Sequence, residues 1–513
     1  MRKVITAFTA ISFLLLPVTA NAAAPKAGAK CTKLNQSQSF DGSKFTCVKS
    51  GTKLVWKKVG ITQLPSEAKP VDFSKTYSTD DGYLTLFSSP CDRESNIPAD
   101  LAELQSYFYG FSRCAGQLQL GKYSLGIKRP KLAFDTASKF ANLEPCKVSD
   151  PPGKWSGLGH ISFNSFQMGR RYPAPTTVIQ LIPIYSSDTA KPSSTPAKDY
   201  KLFLDYFRNW IEYSSDFGSN VTVRVPESYI KMNSPVGSFQ LKHPVNWDTP
   251  GHVQFNRELV ASVDPVIDFT GANIGIVVPP PGTEAYIFAQ AAIGTLATNE
   301  GIVTNVMTEY GAFAKNPTSN TYAGLAHPFW WIHEIMHSGI GLDDHYGDTR
   351  NDLKSEYGMG HLTMMTPWGG DLSTWEKWKL GFIKDSQIQC KSDSGTSTHW
   401  IAPSTVQTQE SKSVIISISQ SKAIIIESLR PGGLFYKHPL QSQGALVYEI
   451  DLSKTDHGMG MKISLPIGRS VESTQVFMAS APLKQGESTI SNGFKITVVE
   501  SGTFGDVIKV EKQ

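Results

Sequence analysis

Charge is scarce in this sequence. Asp, Glu, Lys and Arg make up 18 % of its 513 residues, and the net charge is only +4. So small a positive balance gives no reason to expect a nucleic-acid partner. Long apolar runs are also missing. The one run, residues 4–18, is interrupted by Thr6, Thr9 and Ser12, is too short to span a bilayer comfortably, and is followed by no second one. Cysteines number six, and none has the C-x-x-C spacing of a thiolate metal site. A stable membrane span and a cysteine-held zinc are therefore set aside. Low charge with 11 % aromatics argues against disorder and suits an exported, β-rich globular protein. A chain this long exceeds one hydrophobic core, so several domains are expected.

What is present begins with a leader. Met1-Arg2-Lys3 is a positive start, residues 4–18 form a short apolar segment, and Ala20-Asn21-Ala22 offers small residues at both positions read by a signal peptidase. Cleavage after Ala22 and release outside the cell are expected. The six cysteines, Cys31, Cys47, Cys91, Cys114, Cys146 and Cys390, are then candidates for disulfides. Pairing neighbours gives Cys31 with Cys47 and Cys91 with Cys114, and leaves Cys146 for Cys390.

Along the chain the expected fold class is α+β. Residues 26–59 read as a small disulfide-stapled β module, with a turn at Asp41-Gly42-Ser43 and an alternating strand over 53–58. It is either a surface-binding unit or a spacer. A polar linker covers 61–75, and 76–170 reads as a β-rich N-terminal region with its longest apolar-periodic piece at 101–111. A further α+β domain is placed at 171–395. Within it, 177–184 reads as a buried strand. Leu202, Phe203, Tyr206, Phe207, Trp210 and Ile211 fall on one helical face, and 221–225 and 274–278 read as further strands. Residues 396–513 read as a C-terminal β-sandwich, with strands over 413–419, 423–427, 445–450, 494–499 and 507–510.

The chemistry is carried by His333-Glu334-Ile335-Met336-His337, an H-E-x-x-H sequence. Two histidines four apart leave the same face of a helix and reach one metal ion. Glu334, beside the metal but not on it, is placed to accept a proton from a zinc-bound water as that water attacks a peptide carbonyl. Pro328 suits the first turn, and Phe329, Trp330, Trp331, Ile332, Ile335 and Met336 supply the surface of a core helix. A chance match arises in roughly one chain in a hundred of this size, so the motif needs support. After the turn Ser338-Gly339-Ile340-Gly341 come three candidates for a third ligand. Plain counting in the extended signature gives Asp343; one extra turn residue with Gly341 as the signature glycine gives Asp344; His345 is the third. Asp344 is favoured. Thr363-Met364-Met365-Thr366-Pro367 is a candidate methionine turn, and Ser373-x-x-Glu376 a capping box opening a short helix that stops at Gly381. Tyr346, Tyr357 and His361 are candidates for a further hydrogen bond to the oxyanion. Asp343, Asp344, Asp348 and Asp352 are close in sequence but lack calcium-loop spacing, which leaves Ca2+ an open second cofactor.

These stretches resemble the immune inhibitor A family of secreted bacterial metalloendopeptidases, which are metzincin-like. The matching pieces are His333 to His337, Gly341-Leu342-Asp343-Asp344-His345-Tyr346, Met365, and residues 372–382, Leu-Ser-Thr-Trp-Glu-Lys-Trp-Lys-Leu-Gly-Phe. The strand 178–184 followed by Tyr185-Ser186-Ser187-Asp188 is similar to that family's first catalytic strand, and 423–430 and 444–451 resemble strands of its following β domain. The likeness covers roughly residues 175 to 455. It implies a zincin-type catalytic domain, Zn2+ on His333, His337 and Asp344, and Glu334 as general base. One departure is visible: the interval from His337 to the Gly-Leu pair is one residue longer than the family pattern.

The expected function is thus a secreted zinc endopeptidase acting on extracellular proteins or peptides as a monomer. The competing expectation is a catalytically inactive zinc-binding surface or adhesion protein, attached through the N-terminal cysteine module. An intact Glu334 favours hydrolysis, because a purely adhesive site has no use for a carboxylate beside its histidines.

Overall fold

The computed structural model describes residues 26–59, 129–150, 176–309, 311 and 328–513, with short gaps inside these spans, and the pieces 87–88, 119–120 and 162–163. The leader 1–22, the linker 61–75, the piece 101–111, and Cys91 and Cys114 lie outside the described residues. The chain divides into two compact units, residues 1–66 and 67–513.

In the first unit, β1 (Ser37–Phe40), β2 (Ser43–Ser50) and β3 (Lys53–Val59) form an antiparallel sheet in that order. The expected hairpin is therefore three-stranded. Gly51 sits at φ 59° in the two-residue turn joining β2 to β3, a conformation glycine adopts without a Cβ penalty. Cys31 is bonded to Cys47. Together with Phe45 and Trp56 they form a core too small to hold the module alone, which is why a covalent staple belongs there.

The second unit carries a two-residue pair, β4 (Phe87–Ser88) with β5 (Gln119–Leu120), and then a six-stranded sheet. Its members are β6 (Thr176–Tyr185), β7 (Asn220–Arg224), β8 (Ile230–Lys231), β9 (Ile274–Val278), β10 (Ala291–Thr298) and β11 (Gly301–Thr308). The order is β10-β11-β9-β6-β7, with β8 continuing beside β6. All neighbours are parallel except β10 and β11.

Alternation along β6 sends Ile179 and Leu181 to one face and Ile182 and Ile184 to the other. The first face packs against α1 (Lys201–Ser214) and α3 (Pro328–Ile335); the second packs against α2 (Pro250–Val263). On α1, Phe203, Phe207, Trp210 and Ile211 are buried at the helical spacing the sequence predicts. Trp331 of α3 lies against Phe203, with ring centroids 4.5 Å apart.

After α4 (Thr374–Leu380) the chain becomes β-structure. One sheet takes β12 (Ile388–Lys391), β14 (Ser413–Ser419), β15 (Lys422–Leu429), β16 (Gly444–Asp451) and β17 (Met461–Ile463). The other takes β13 (Ser397–Ile401), β18 (Ser488–Ser491), β19 (Phe494–Gly502) and β20 (Gly505–Lys512). Val414, Ile416, Ile424 and Ile426 meet Ile496, Val498 and Ile508 between the sheets. Ile415 and Ile425 face the other way, against Trp375 and Trp378 of α4. The five-stranded sheet is thus covered on both faces, which explains the unbroken apolar run Ile424-Ile425-Ile426. It also begins at β12, ahead of the boundary expected at 396, because residues 388–391 pair in parallel with β14.

Residues 129–150, from the region to which the sequence assigned no role, pack on this β part. Leu143, Cys146 and Val148 join its core, Asp135 exchanges hydrogen bonds with Thr398, and Cys146 is bonded to Cys390. No described helix is long and apolar enough to cross a membrane.

Candidate metal centre

The buried face of α3 fixes the site. Trp331, Ile332, Ile335 and Met336 are at most 1 % exposed and anchor the helix in the core. The last turn widens to π-helical geometry at Met336 and His337, a distortion often found where a helix serves a functional site. His333 is buried; His337 is 24 % exposed at its side chain, and Glu334 is half-buried. The two imidazole planes lie at 88°, with centroids 4.7 Å apart.

Each ring is held from behind by a main-chain carbonyl. His333 Nδ1 is 2.9 Å from Met364 O, and His337 Nδ1 is 2.8 Å from Leu342 O. A carbonyl only accepts, so both Nδ1 atoms carry the proton and both Nε2 atoms present a lone pair. These Nε2 atoms are 3.1 Å apart, and Asp344 Oδ1 is 3.2 Å from each. Two lone pairs and a carboxylate oxygen this close repel unless a positive charge lies between them. Four-coordinate zinc at about 2.0–2.1 Å places neighbouring ligand atoms roughly 3.3 Å apart, so the triangle has the right size and donor set for such an ion. His337 expresses the same demand: burial lowers the pKa of its ring, but the nearby carboxylates, Asp344 first and then Glu334, raise it to about 9.

The return of the chain after the helix brings Asp344 in. Leu342 N donates to Met336 O at 2.8 Å, turning the segment back against the helix end. Residues 342–345 then run between two partners, with His345 N donating to Met365 O at 2.8 Å and Met359 N to His345 O at 2.6 Å. The three side chains that follow Leu342 meet different partners. Asp344 joins the histidines, Asp343 turns to accept from Gly458 N at 3.4 Å, and His345 Nε2 meets Glu376 Oε1 at 2.9 Å. Of the three candidates for a third ligand, the structure therefore groups only Asp344 with the two histidines. Asp344→Ala is expected to weaken metal binding about 100-fold or more, since even a residue one step removed from a metal costs roughly 10–100-fold. Asp343→Ala leaves the affinity near that of the wild type. Competition with a chelating dye checks both; a larger loss for Asp343→Ala than for Asp344→Ala would mean that Asp343 is the ligand.

The candidate methionine turn lies beneath the site. Met364 contributes the carbonyl that holds His333, Met364 and Met365 are fully buried, and Thr366 N closes the turn onto Thr363 O. Glu376 was legible only as part of a capping box, which is present, with Ser373 Oγ accepting from Glu376 N. The same carboxylate does more. Fully buried, it takes Ser373 N (2.8 Å), Ser373 Oγ (2.8 Å) and Thr363 Oγ1 (2.9 Å) on Oε2, and His345 on Oε1. It thereby ties α4, the methionine turn and the segment bearing Asp344 to one point. Burial alone would raise its pKa, but His345 and the Ser373 hydrogen bonds bring it below the usual value.

Tyr357 is half-buried, its ring flanked by the ammonium groups of Lys454 at 4.9 Å and Lys462 at 5.3 Å from the centroid. Tyr346, His361, Asp348 and Asp352 lie outside the described residues. Among the described residues no second group of acids and histidines has metal-binding geometry. No family model matches the chain, and no curated protein matches it.

Proposed function

We propose that the protein is a secreted zinc-dependent endopeptidase with a zincin-type catalytic domain in residues 171–395. The observation that carries this reading is the convergence of His333 Nε2, His337 Nε2 and Asp344 Oδ1 to within 3.2 Å of one another, with Glu334 on the same helix. Support also comes from the ordered likeness of residues 175 to 455 to the immune inhibitor A family, and from the leader and disulfides, which suit an oxidising compartment.

Three protein ligands leave a position open for solvent and substrate. Zinc held there supplies Lewis acidity towards a peptide carbonyl and a nucleophilic water at neutral pH. Glu334 takes the proton of the attacking water and delivers it to the amine nitrogen as the C–N bond breaks. Met364 O and Leu342 O keep both rings in the tautomer that presents Nε2, so no reorganisation of the ligands accompanies turnover.

The test is metal content and casein cleavage by the secreted chain before and after chelation. One equivalent of zinc, loss of cleavage on chelation and recovery on adding zinc back are expected. A zinc-loaded chain that leaves casein and a mixed peptide library intact overturns the reading.

A further inference from the structure

The N-terminal module has a charge unlike that of the rest of the chain. Residues 26–59 contain eight lysines and one acidic residue, Asp41, a net charge of +7 in 34 residues. The whole chain is +4, so the other 479 residues sum to −3. General basicity of the protein therefore does not account for the module.

The lysines are also arranged. The lead-in to the sheet runs along the free edge of β3: Gly28 N donates to Trp56 O, Trp56 N to Ala29 O and Cys31 N to Leu54 O. That places Lys30 opposite Val55. Facing residues share a side of a sheet, and so do residues two apart on a strand. Lys30, Lys53 and Lys57 therefore stand together on the side away from Cys47 and Trp56, and all three are exposed. Lys26, Lys33 and Lys49, at the margins, are exposed as well. No ion pair within the described module neutralises them. A polyanion lying along this face gathers these charges and releases its own counterions.

We infer that this face docks the protein on a linear, phosphate-bearing polyanion of the kind found in cell envelopes. Two competing surfaces fit less well. Among the described residues of the module, Leu34 is the only large apolar side chain in the open, so a bilayer would meet charge without an apolar anchor. Phe45 and Trp56 are both in the core, so neither ring offers a base a stacking surface.

The inference does not rest on the metal centre, and its test avoids it. Binding of the full secreted chain to long-chain polyphosphate is measured after chelation, beside phosphatidylglycerol vesicles and single-stranded DNA. Polyphosphate is expected to bind most tightly, and to lose about 10- to 100-fold in affinity as salt rises from roughly 50 to 200 mM. K30Q/K53Q/K57Q is expected to lose at least about tenfold and to flatten the salt dependence. K131Q/K191Q/K198Q, altering three exposed lysines outside the module, is expected to bind like the wild type. The inference is overturned if the two triple variants bind alike, if the wild type ignores polyphosphate at low salt, or if vesicles or DNA bind more tightly. An intact Cys31–Cys47 bond, checked by mass, shows that the module variant is folded.

Discussion

Glu334→Gln is expected to lower kcat/KM on a quenched peptide by about 10²–10⁴, the range removed with a general base, while the metal content stays at that of the wild type. Glutamine keeps the shape of the side chain in its half-buried place but cannot take a proton. It is not one of the three converging ligands, so the ion has no reason to leave. Metal analysis and peptide kinetics on the same preparation separate the two effects. Activity within tenfold of the wild type would remove Glu334 from the reaction, and a parallel loss of metal would make it a ligand.

Glu376→Ala is expected to cost at least about 3 kcal/mol of stability, since each buried donor left without an acceptor costs about 1–3 kcal/mol. The donors at Ser373, Thr363 and His345 then lose their common acceptor. Because His345 follows Asp344, metal affinity is expected to fall roughly 10–100-fold as well. Glu376→Gln preserves the cap and should recover part of the stability. The sign of the pH effect follows from the lowered carboxyl: its contribution is present above the unfolded pKa and is lost as pH falls through the folded one. The gap in urea stability between wild type and Glu376→Ala should therefore narrow in acid. An alanine variant as stable as the wild type, with full metal affinity, would reduce Glu376 to a simple helix cap.

These two carboxylates show what a linear reading captures. Glu334 is recognisable because its role is set by neighbours one and three residues away. Local period did equally well for β9 at 274–278 and for the buried stripe of α1. The capping role of Glu376 was legible for the same reason, but its bonds to Thr363 and His345 join residues 13 and 31 positions apart, and no local pattern encodes them. Asp344 lies between these cases. Three candidate ligands in a row could not be separated by spacing, and they are separated by their partners in space: the two histidines for Asp344, Gly458 for Asp343 and Glu376 for His345. The second buried face of the five-stranded sheet left a trace in Ile424-Ile425-Ile426. That α4 and residues 143–148 cover it is a matter of long-range packing.

The bond between Cys146 and Cys390 closes a loop spanning 244 positions of sequence, and every candidate ligand lies inside it. For a protein that meets proteases, this alters what a cut means. One backbone break at any point from 147 to 389 yields two pieces that stay covalently joined, with both sides of the cut still attached to the same β-sheet core. Such a nicked molecule keeps its full mass, plus one water, until it is reduced, and only then separates into two bands on a gel. Damage in this region is recorded in the chain without releasing the histidines from the carboxylate they face.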